Sequence, residues 1–577
     1  MEKRWIRKAD GDSQVVAELA SVLSVERSLS NLLVQRGVFT YNDAKAFFRP
    51  QLSDLHDPFL MKDMDKAVAR LEKAVDSGEK ILIYGDYDVD GTTAVSTVYS
   101  FLDAHRVPVS YFIPERYIDG YGVAYRGIDH AVSEGATLII ALDCGIKAVE
   151  KVAYATSKGV DFIICDHHLP GNTIPEAVAV LDPQRSDCTY PYKELSGCGV
   201  GYKLLQAYCQ RRSISTDTLA PLLDLVAVSI ASDIVPITGE NRVLAHYGLH
   251  RLNSSPRRGL QAIMRRSGLH EHPIGIDDIV FRIGPRINAA GRMESGKTAV
   301  DLLTAETDKV ADEMGDIVND RNNDRKNVDR SITLEAINII RQDAQLQAKK
   351  TIVLYNPEWL KGVVGIVASR LVEAFFRPAI VLTESNGQIT GSARSIPGFD
   401  LYQAIEACAD LLVNYGGHMY AAGLTMKAEN LEPFMNRFEE ASDRMISPGM
   451  LIPQVAIDEE INFSDITPKF YRILRQFQPF GPGNMAPVFL TRRAYSNGNM
   501  RLVGVDSEHL RLDLIQEDAP YLPMPAIAFN QAHFFDYIQS GKPIDVCYTI
   551  SENVYRGKTT LQLRIKDIKK SEEGEKF

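Results

Sequence analysis

Three aspartates at alternate positions, Asp86, Asp88 and Asp90, close the stretch Ile81-Leu82-Ile83-Tyr84-Gly85-Asp86-Tyr87-Asp88-Val89-Asp90-Gly91. Carboxylates this close repel one another. They are tolerable chiefly where a divalent cation neutralises them, and an oxygen-rich donor set suits Mg2+ or Mn2+. Asp and Gly are also ordinary turn residues, so an exposed acidic turn would read the same way in isolation. The rest of the chain must decide.

The apolar run before the aspartates reads as a buried parallel strand, and in α/β folds ligands bind at the carboxyl ends of such strands. The pattern recurs. Thr137 to Leu142 is apolar and ends in Asp143-Cys144-Gly145, and Val160 to Cys165 ends in Asp166-His167-His168. Val178 to Leu181 runs into Asp182-Pro183. Helical stretches separate these runs, the first from Thr92 to Ala104. Alternating strands and helices imply a parallel sheet with right-handed crossovers, which brings all these acids and histidines to one sheet edge. A lone acidic turn would not produce that convergence. Asp233 ends a mostly apolar helix over 221–231; alone, such an acid is more often a cap than a ligand.

Other stretches offer partners for anions. The loop Pro114 to Gly122 interleaves Arg116 with aromatics including Tyr121, which suits stacking and phosphate contact as well as it suits a plain surface loop. Gly284 to Met293 is dense in Gly and Arg, including Arg292. A charged helical pattern from about Thr304 to Ala344 reads as a long linking helix, solvated along much of its length. A second α/β unit begins at Thr351 and carries Gly391-Ser392-Ala393-Arg394-Ser395 and Gly416-Gly417-His418, read as glycine turns with anion donors or as packing glycines. From about 455 to 570, short strands spaced by turns read as a small β-barrel of the kind that binds single strands.

Composition sets bounds. With 577 residues the chain has room for several domains, and 45% hydrophobic with 24% charged residues is ordinary for a globular protein. No run of about 20 apolar residues and no signal-like start occurs, so a cytoplasmic protein without membrane contact is expected. Seven scattered cysteines without a C-x-x-C pair are expected to be free thiols. A net charge of −11 argues against coating nucleic acid with the whole surface but leaves room for a local basic groove.

Taken together, Gly85 to Gly91, Leu142 to Gly145, Asp166-His167-His168, Ser232 to Pro236, the Gly391 and Gly416 stretches and Gln478 to Asn484 resemble the DHH phosphoesterase superfamily, and within it the RecJ family of single-strand exonucleases. With the residue pattern, which reads 1–75 as an N-terminal cap region and 304–348 as the linking helix, the resemblance implies a DHH catalytic domain over 76–303. It further implies a DHHA1-like domain over 349–450, an OB-like barrel over 451–570 and a charged tail over 571–577.

The implied activity is metal-dependent 5′-to-3′ degradation of single-stranded DNA to mononucleotides in recombination and repair. Single-strand-binding protein and a RecQ-type helicase are the implied partners of a monomer. Two ions, Mn2+ or Mg2+, are implied: Asp90, Asp143, His167 and Asp233 hold one, and Asp88 and Asp143 the other with Asp86 in support, so that Asp143 bridges. His168 would contact the scissile phosphate, assist proton transfer or orient a ligand. Ser392 and Arg394 would grip the 5′ phosphate, and His418 and Arg292 the neighbouring ones. Two positions depart from the family pattern: Tyr84 stands where a histidine is common, which implies a weaker or more water-filled site for one ion, and Leu360 follows Trp359 where a histidine is common. Two rival readings share the metal motifs: a phosphoesterase of short oligonucleotides or cyclic dinucleotides, and a non-catalytic strand-binding scaffold.

Overall fold

The computed structural model describes residues 2–269, 272–293, 295–555 and 558–571; the expected tail lies outside them from 572 onward. The chain divides into two compact units, Gln51–Leu451 and Met1–Pro50 with Ile452–Phe577. Among the described residues no helix is long and apolar enough to cross a membrane, and all seven cysteines are free and buried.

The first unit opens on a five-stranded parallel sheet built from β1 (Lys80–Gly85), β2 (Val109–Phe112), β3 (Ala136–Leu142), β4 (Asp161–Cys165) and β5 (Ala179–Leu181), in the spatial order β2-β1-β3-β4-β5. The strands are apolar on both faces because helices cover both. Ile81 and Ile83 enter the core on one face, and Leu82 and Tyr84 that on the other. Chain order reverses between β1 and β3, so a crevice opens at their carboxyl ends, the usual ligand position in such sheets. Three helices close on that crevice: α1 (Val89–Ala104), α2 (Gly197–Arg212) and α3 (Leu223–Ser232). The Gly/Arg-rich stretch 284–293 is itself a helix, α4 (Gly284–Met293).

The expected linking helix is α5 (Asp308–Gln342), 35 residues long. It is less solvated than its charge suggests. Ala311, Gly315, Val318, Asn322, Arg325, Asp329, Ile332, Ala336 and Ile340 are buried along it, at the 3- to 4-residue spacing of one face.

Beyond it, β6 (Ile352–Tyr355), α6 (Val364–Phe375), β7 (Ala379–Ser385), β8 (Gln388–Arg394), β9 (Leu412–His418) and β10 (Ala421–Met426) form a sheet in the order β9-β10-β8-β7-β6. The stretches read as glycine turns are therefore mostly strand. Gly391 to Arg394 lie on β8 and Gly416 to His418 on β9, where missing side chains let neighbouring backbones close up: a Cβ on Gly391 would lie 2.3 Å from the Val381 carbonyl oxygen.

In the second unit, strands Phe489–Val503, His509–Gln516, Ala519–Ala528, Lys558–Lys570 and Ile544–Tyr555 pair in sequence, and the last pairs back with the first to close a barrel. The expected N-terminal cap divides in two. Residues from Gln51 belong with the first unit, whereas 1–50 cluster with the barrel. Arg4–Arg7 pairs in parallel with Gln454–Ile457, and Leu29, Leu32 and Leu33 share the core of Phe463, Phe470 and Phe489. The apolar helical pattern of this segment carries no address for its partner, and the partner lies over 400 residues away.

Candidate metal centre and anion cradle

The acids reach the crevice by different local devices. Asp88 caps α1, its Oδ1 accepting from the Gly91 N–H at 3.0 Å. A glycine is required at 91, where a Cβ would lie 2.4 Å from the Asp86 carbonyl oxygen. Asp90, in the first turn of α1, is buried and accepts from the Gly197 and Cys198 N–H groups at the start of α2, at 2.6 and 2.9 Å. The Ser229 hydroxyl of α3 lies 2.6 Å from its Oδ1. These three donors, two of them at a helix N-terminus, fix the Asp90 carboxylate in direction.

Asp143 follows β3 in the left-handed region at φ 59, which Asp tolerates better than most residues. Gly197 makes this possible: a Cβ there would lie 2.5 Å from that of Asp143. Asp233 is the C-cap of α3.

These acids converge on His167. Its Nε2 stands 3.2 Å from Asp143 Oδ1, 3.5 Å from Asp233 Oδ2 and 3.6 Å from Asp90 Oδ2. Asp86 Oδ2, Asp143 Oδ2 and His167 Nε2 are buried with no hydrogen-bond partner, an expensive state for polar atoms. Burial first, and then the surrounding carboxylates, push Asp86, Asp143 and Asp233 well above the ordinary carboxylate range. The pocket is short of positive charge. Its donors are carboxylate oxygens and an imidazole nitrogen, without thiolate, a set suited to Mn2+ or Mg2+. The residues fit divalent cations. Among the described residues two groups of candidate ligands occur, Asp90 with His167 and Asp233, and Asp143 with His167 and His168.

His168 differs from His167. Its Nδ1 is 2.7 Å from Asp166 Oδ1 and its Nε2 3.1 Å from the Tyr121 hydroxyl. Burial would lower its pKa, but the Asp166 hydrogen bond raises it to about 9. Asp166, wholly buried, also accepts from the N–H groups of Ile146, His167 and His168. Against the cost of burial, the hydrogen bond and charge of His168, and then the Ile146 N–H, bring it down to about 2. The Asp166 contact thus favours the protonated form of His168 at the mouth of the pocket.

Tyr84 takes no part in the centre. Its side chain packs in the core on the far face of β1, its hydroxyl donates to the Gly122 carbonyl and accepts from the Ala124 N–H, both at 3.0 Å, and burial pushes the phenol up. Tyr84 is therefore not a ligand candidate; it anchors the 122–124 loop instead. Gly122 in turn donates its N–H to Asp86 Oδ1 at 3.1 Å. Leu360 is an apolar packing residue beside the Trp359 cluster.

The anion donors gather on the second sheet. Arg394 donates from Nη1 to Ser392 Oγ at 2.7 Å and to the Ala393 carbonyl at 2.8 Å. Facing them is Gly365 in the first turn of α6, where a Cβ would stand 2.9 Å from Arg394 Nη2 and 3.0 Å from Ser392 Oγ. A hydroxyl, a guanidinium and a helix N-terminus thus face one another around a missing Cβ, a candidate cradle whose donors suit an anion. Arg292 donates from Nη1 to the Gly362 carbonyl at 2.9 Å, and burial brings it down to about 10, with the charges of Arg116 and Arg394 acting in the same direction. The Arg116 guanidinium lies 4.1 Å over the Tyr87 ring. His418 is lowered by burial and then by the charges of Arg394 and His168, which join cradle and metal centre electrostatically.

Charge links the two groups of residues: Arg292 feels Arg116 and Arg394, and His418 feels Arg394 and His168. Sequence reasoning missed Asp166 as the residue orienting His168, Ser229 as a donor to Asp90, and Gly365 as the floor of the cradle. A local signal existed only for Asp166, in the Asp-His-His triplet.

Residues 80–230 match the DHH family, N-terminal domain; 348–442 match the DHHA1 domain; and 457–567 match the RecJ OB domain. The chain is 36% identical over 572 residues to the single-stranded-DNA-specific exonuclease RecJ of Bacillus subtilis, covering 99% of this chain and 71% of that one. It is 32% identical to RecJ of Salmonella typhimurium, covering 97% and 98%. The crystal structure of RecJ from Thermus thermophilus in complex with Mn2+ superposes with a TM-score of 0.83 at 28% identity, covering 99% of this chain and 80% of that one. The same protein in complex with Mg2+ gives a TM-score of 0.78 at 26% identity, covering 99% and 79%. Domain order, the acid–histidine centre and near full-length identity agree: the chain belongs to the RecJ family of single-stranded-DNA-specific exonucleases.

Proposed function

We propose that this protein is a divalent-metal-dependent exonuclease that removes mononucleotides from the 5′ end of single-stranded DNA in recombination and repair. One observation supports the reading: a carboxylate–histidine centre lies at the edge of the parallel sheet, and His418 feels both its His168 and the Arg394 that pairs with Ser392 on the second sheet. Asp90, Asp143, His167 and Asp233 would hold one ion, and Asp88 and Asp143 the other, with Asp86 in support. Bound there, the ions would polarise the scissile phosphate and lower the pKa of an attacking water.

The protein's own residues do the rest. Ser392, Arg394 and the N-terminus of α6 bind the terminal 5′ phosphate. The next phosphodiester then falls at the metal centre, so that cleavage requires an end. His168, held cationic by Asp166, neutralises a non-bridging oxygen of that phosphodiester. Arg292 and His418 hold adjacent phosphates, while Tyr121 and Arg116 line the approach with a ring and a charge. Backbone contacts carry little base information, so sequence preference is slight. The family resemblance adds single-strand-binding protein and a RecQ-type helicase as partners of a cytoplasmic monomer.

The test is product analysis on 5′- and 3′-labelled single strands with Mn2+, with Mg2+ and with chelator. The 5′ label should appear at once as mononucleotide, the 3′ label should shorten progressively, and chelator should stop both. Immediate release of the 3′ label, or cleavage in chelator, would overturn the assignment.

A further inference from the structure

Eleven non-glycine residues among those described have positive φ, and most are Ser, Asp, Asn or Arg. Ile234 is the one β-branched residue in that set, at φ 61. It follows Asp233, the C-cap of α3, at the position where a helix usually ends on glycine. A β-branched residue is strained there, and such strain persists only when something else repays it. Core packing does not repay it, because Ile234 is 63% exposed. Leu169, which follows the two histidines, is 67% exposed. Both apolar side chains therefore leave the chain within two residues of groups only 3.5 Å apart, His167 Nε2 and Asp233 Oδ2. Two exposed aliphatic groups at the rim of so polar a centre call for an apolar ligand surface.

We propose that Ile234, with Leu169, is the specificity-determining seat for the sugar and base of the terminal nucleotide, the one released when the next phosphodiester is cut. This rests on the exonuclease reading and deepens it. The strained backbone turns Ile234 outward, the aliphatic pair covers the apolar edge of the nucleoside, and the phosphate stays over the carboxylates. Shape and apolar area, not hydrogen bonding, would do the selecting, which admits all four bases and penalises a missing one.

The experiment compares two 5′-phosphorylated single strands, one normal and one whose terminal nucleoside is replaced by an abasic tetrahydrofuran, with wild type and with Ile234→Gly, Ile234→Asn and Ile234→Leu. Wild type should cleave the normal strand at least about ten-fold faster. Ile234→Gly and Ile234→Asn, both comfortable in the left-handed region, should lose that advantage through the normal strand alone. Ile234→Leu should keep most of it. The melting temperature of Ile234→Gly should rise by about 2 °C as strain is relieved. An Ile234→Gly enzyme that retains the normal-to-abasic ratio, or loses rate equally on both strands, overturns the seat while leaving the exonuclease intact. Wild type that degrades neither strand overturns the exonuclease reading and the seat with it.

Discussion

Gly365→Ala separates stability from function. The added Cβ would stand 2.9 Å from Arg394 Nη2 and 3.0 Å from Ser392 Oγ, inside the space assigned to the 5′ phosphate. Gly365 sits in the first turn of α6 with no positive φ, so alanine suits its backbone and raises helix propensity by up to about 1 kcal/mol. The fold should be no less stable. The phosphate, displaced, would lose at least one charge-assisted hydrogen bond, about 1.5–3 kcal/mol. At 1.4 kcal/mol per ten-fold, KM for a 5′-phosphorylated strand should rise about 10- to 100-fold. A 5′-hydroxyl strand never fills the cradle, so its KM should stay within about two-fold. The assay is steady-state release of labelled mononucleotide from matched 5′-phosphate and 5′-hydroxyl strands, alongside thermal melting. Unchanged KM on the phosphorylated strand, or an equal rise on both, would refute the cradle.

Other substitutions probe the supports. Ser229→Ala removes the hydroxyl 2.6 Å from Asp90 and should weaken Mn2+ binding about ten-fold without unfolding the protein, as read by metal titration. Asp329, wholly buried on α5, pairs with Arg325 at 2.9 Å and Arg370 at 2.7 Å. Asp329→Ala strands the buried Arg325 and should cost about 3–5 kcal/mol, visible as a lower melting temperature. Arg394→Ala should abolish most activity on 5′-phosphorylated strands while metal binding stays intact.

The legible part of the site is the part announced by local pattern. Asp90, Asp143 and His167 each follow an apolar run, and a parallel sheet necessarily brings such strand ends together. Asp233 became a ligand candidate only through resemblance, because a helix ending in Asp is common. What escaped is tertiary. Nothing near Ser229 says that it meets Asp90, 139 residues away. Gly365 looks like any glycine in an apolar helix until β8 is laid across it. Tyr84 shows the opposite failure: its place in a motif suggested a ligand role, but strand alternation turns it to the opposite face from the pocket. The N-terminal segment misled for a similar reason, since its helices are amphipathic and would suit either unit.

The claim at the centre of this account is that Asp143 and its neighbours are a two-cation site that cuts, distinct from the surface that captures the strand. Mn2+ titration by electron paramagnetic resonance, paired with single-strand binding by fluorescence anisotropy on the same samples, tests it for wild type and Asp143→Ala. Two ions per wild-type chain are expected, with loss of at least one in the variant, no detectable cleavage by the variant and strand affinity within about three-fold. A variant that binds both ions as wild type does, or that still cleaves, would contradict it.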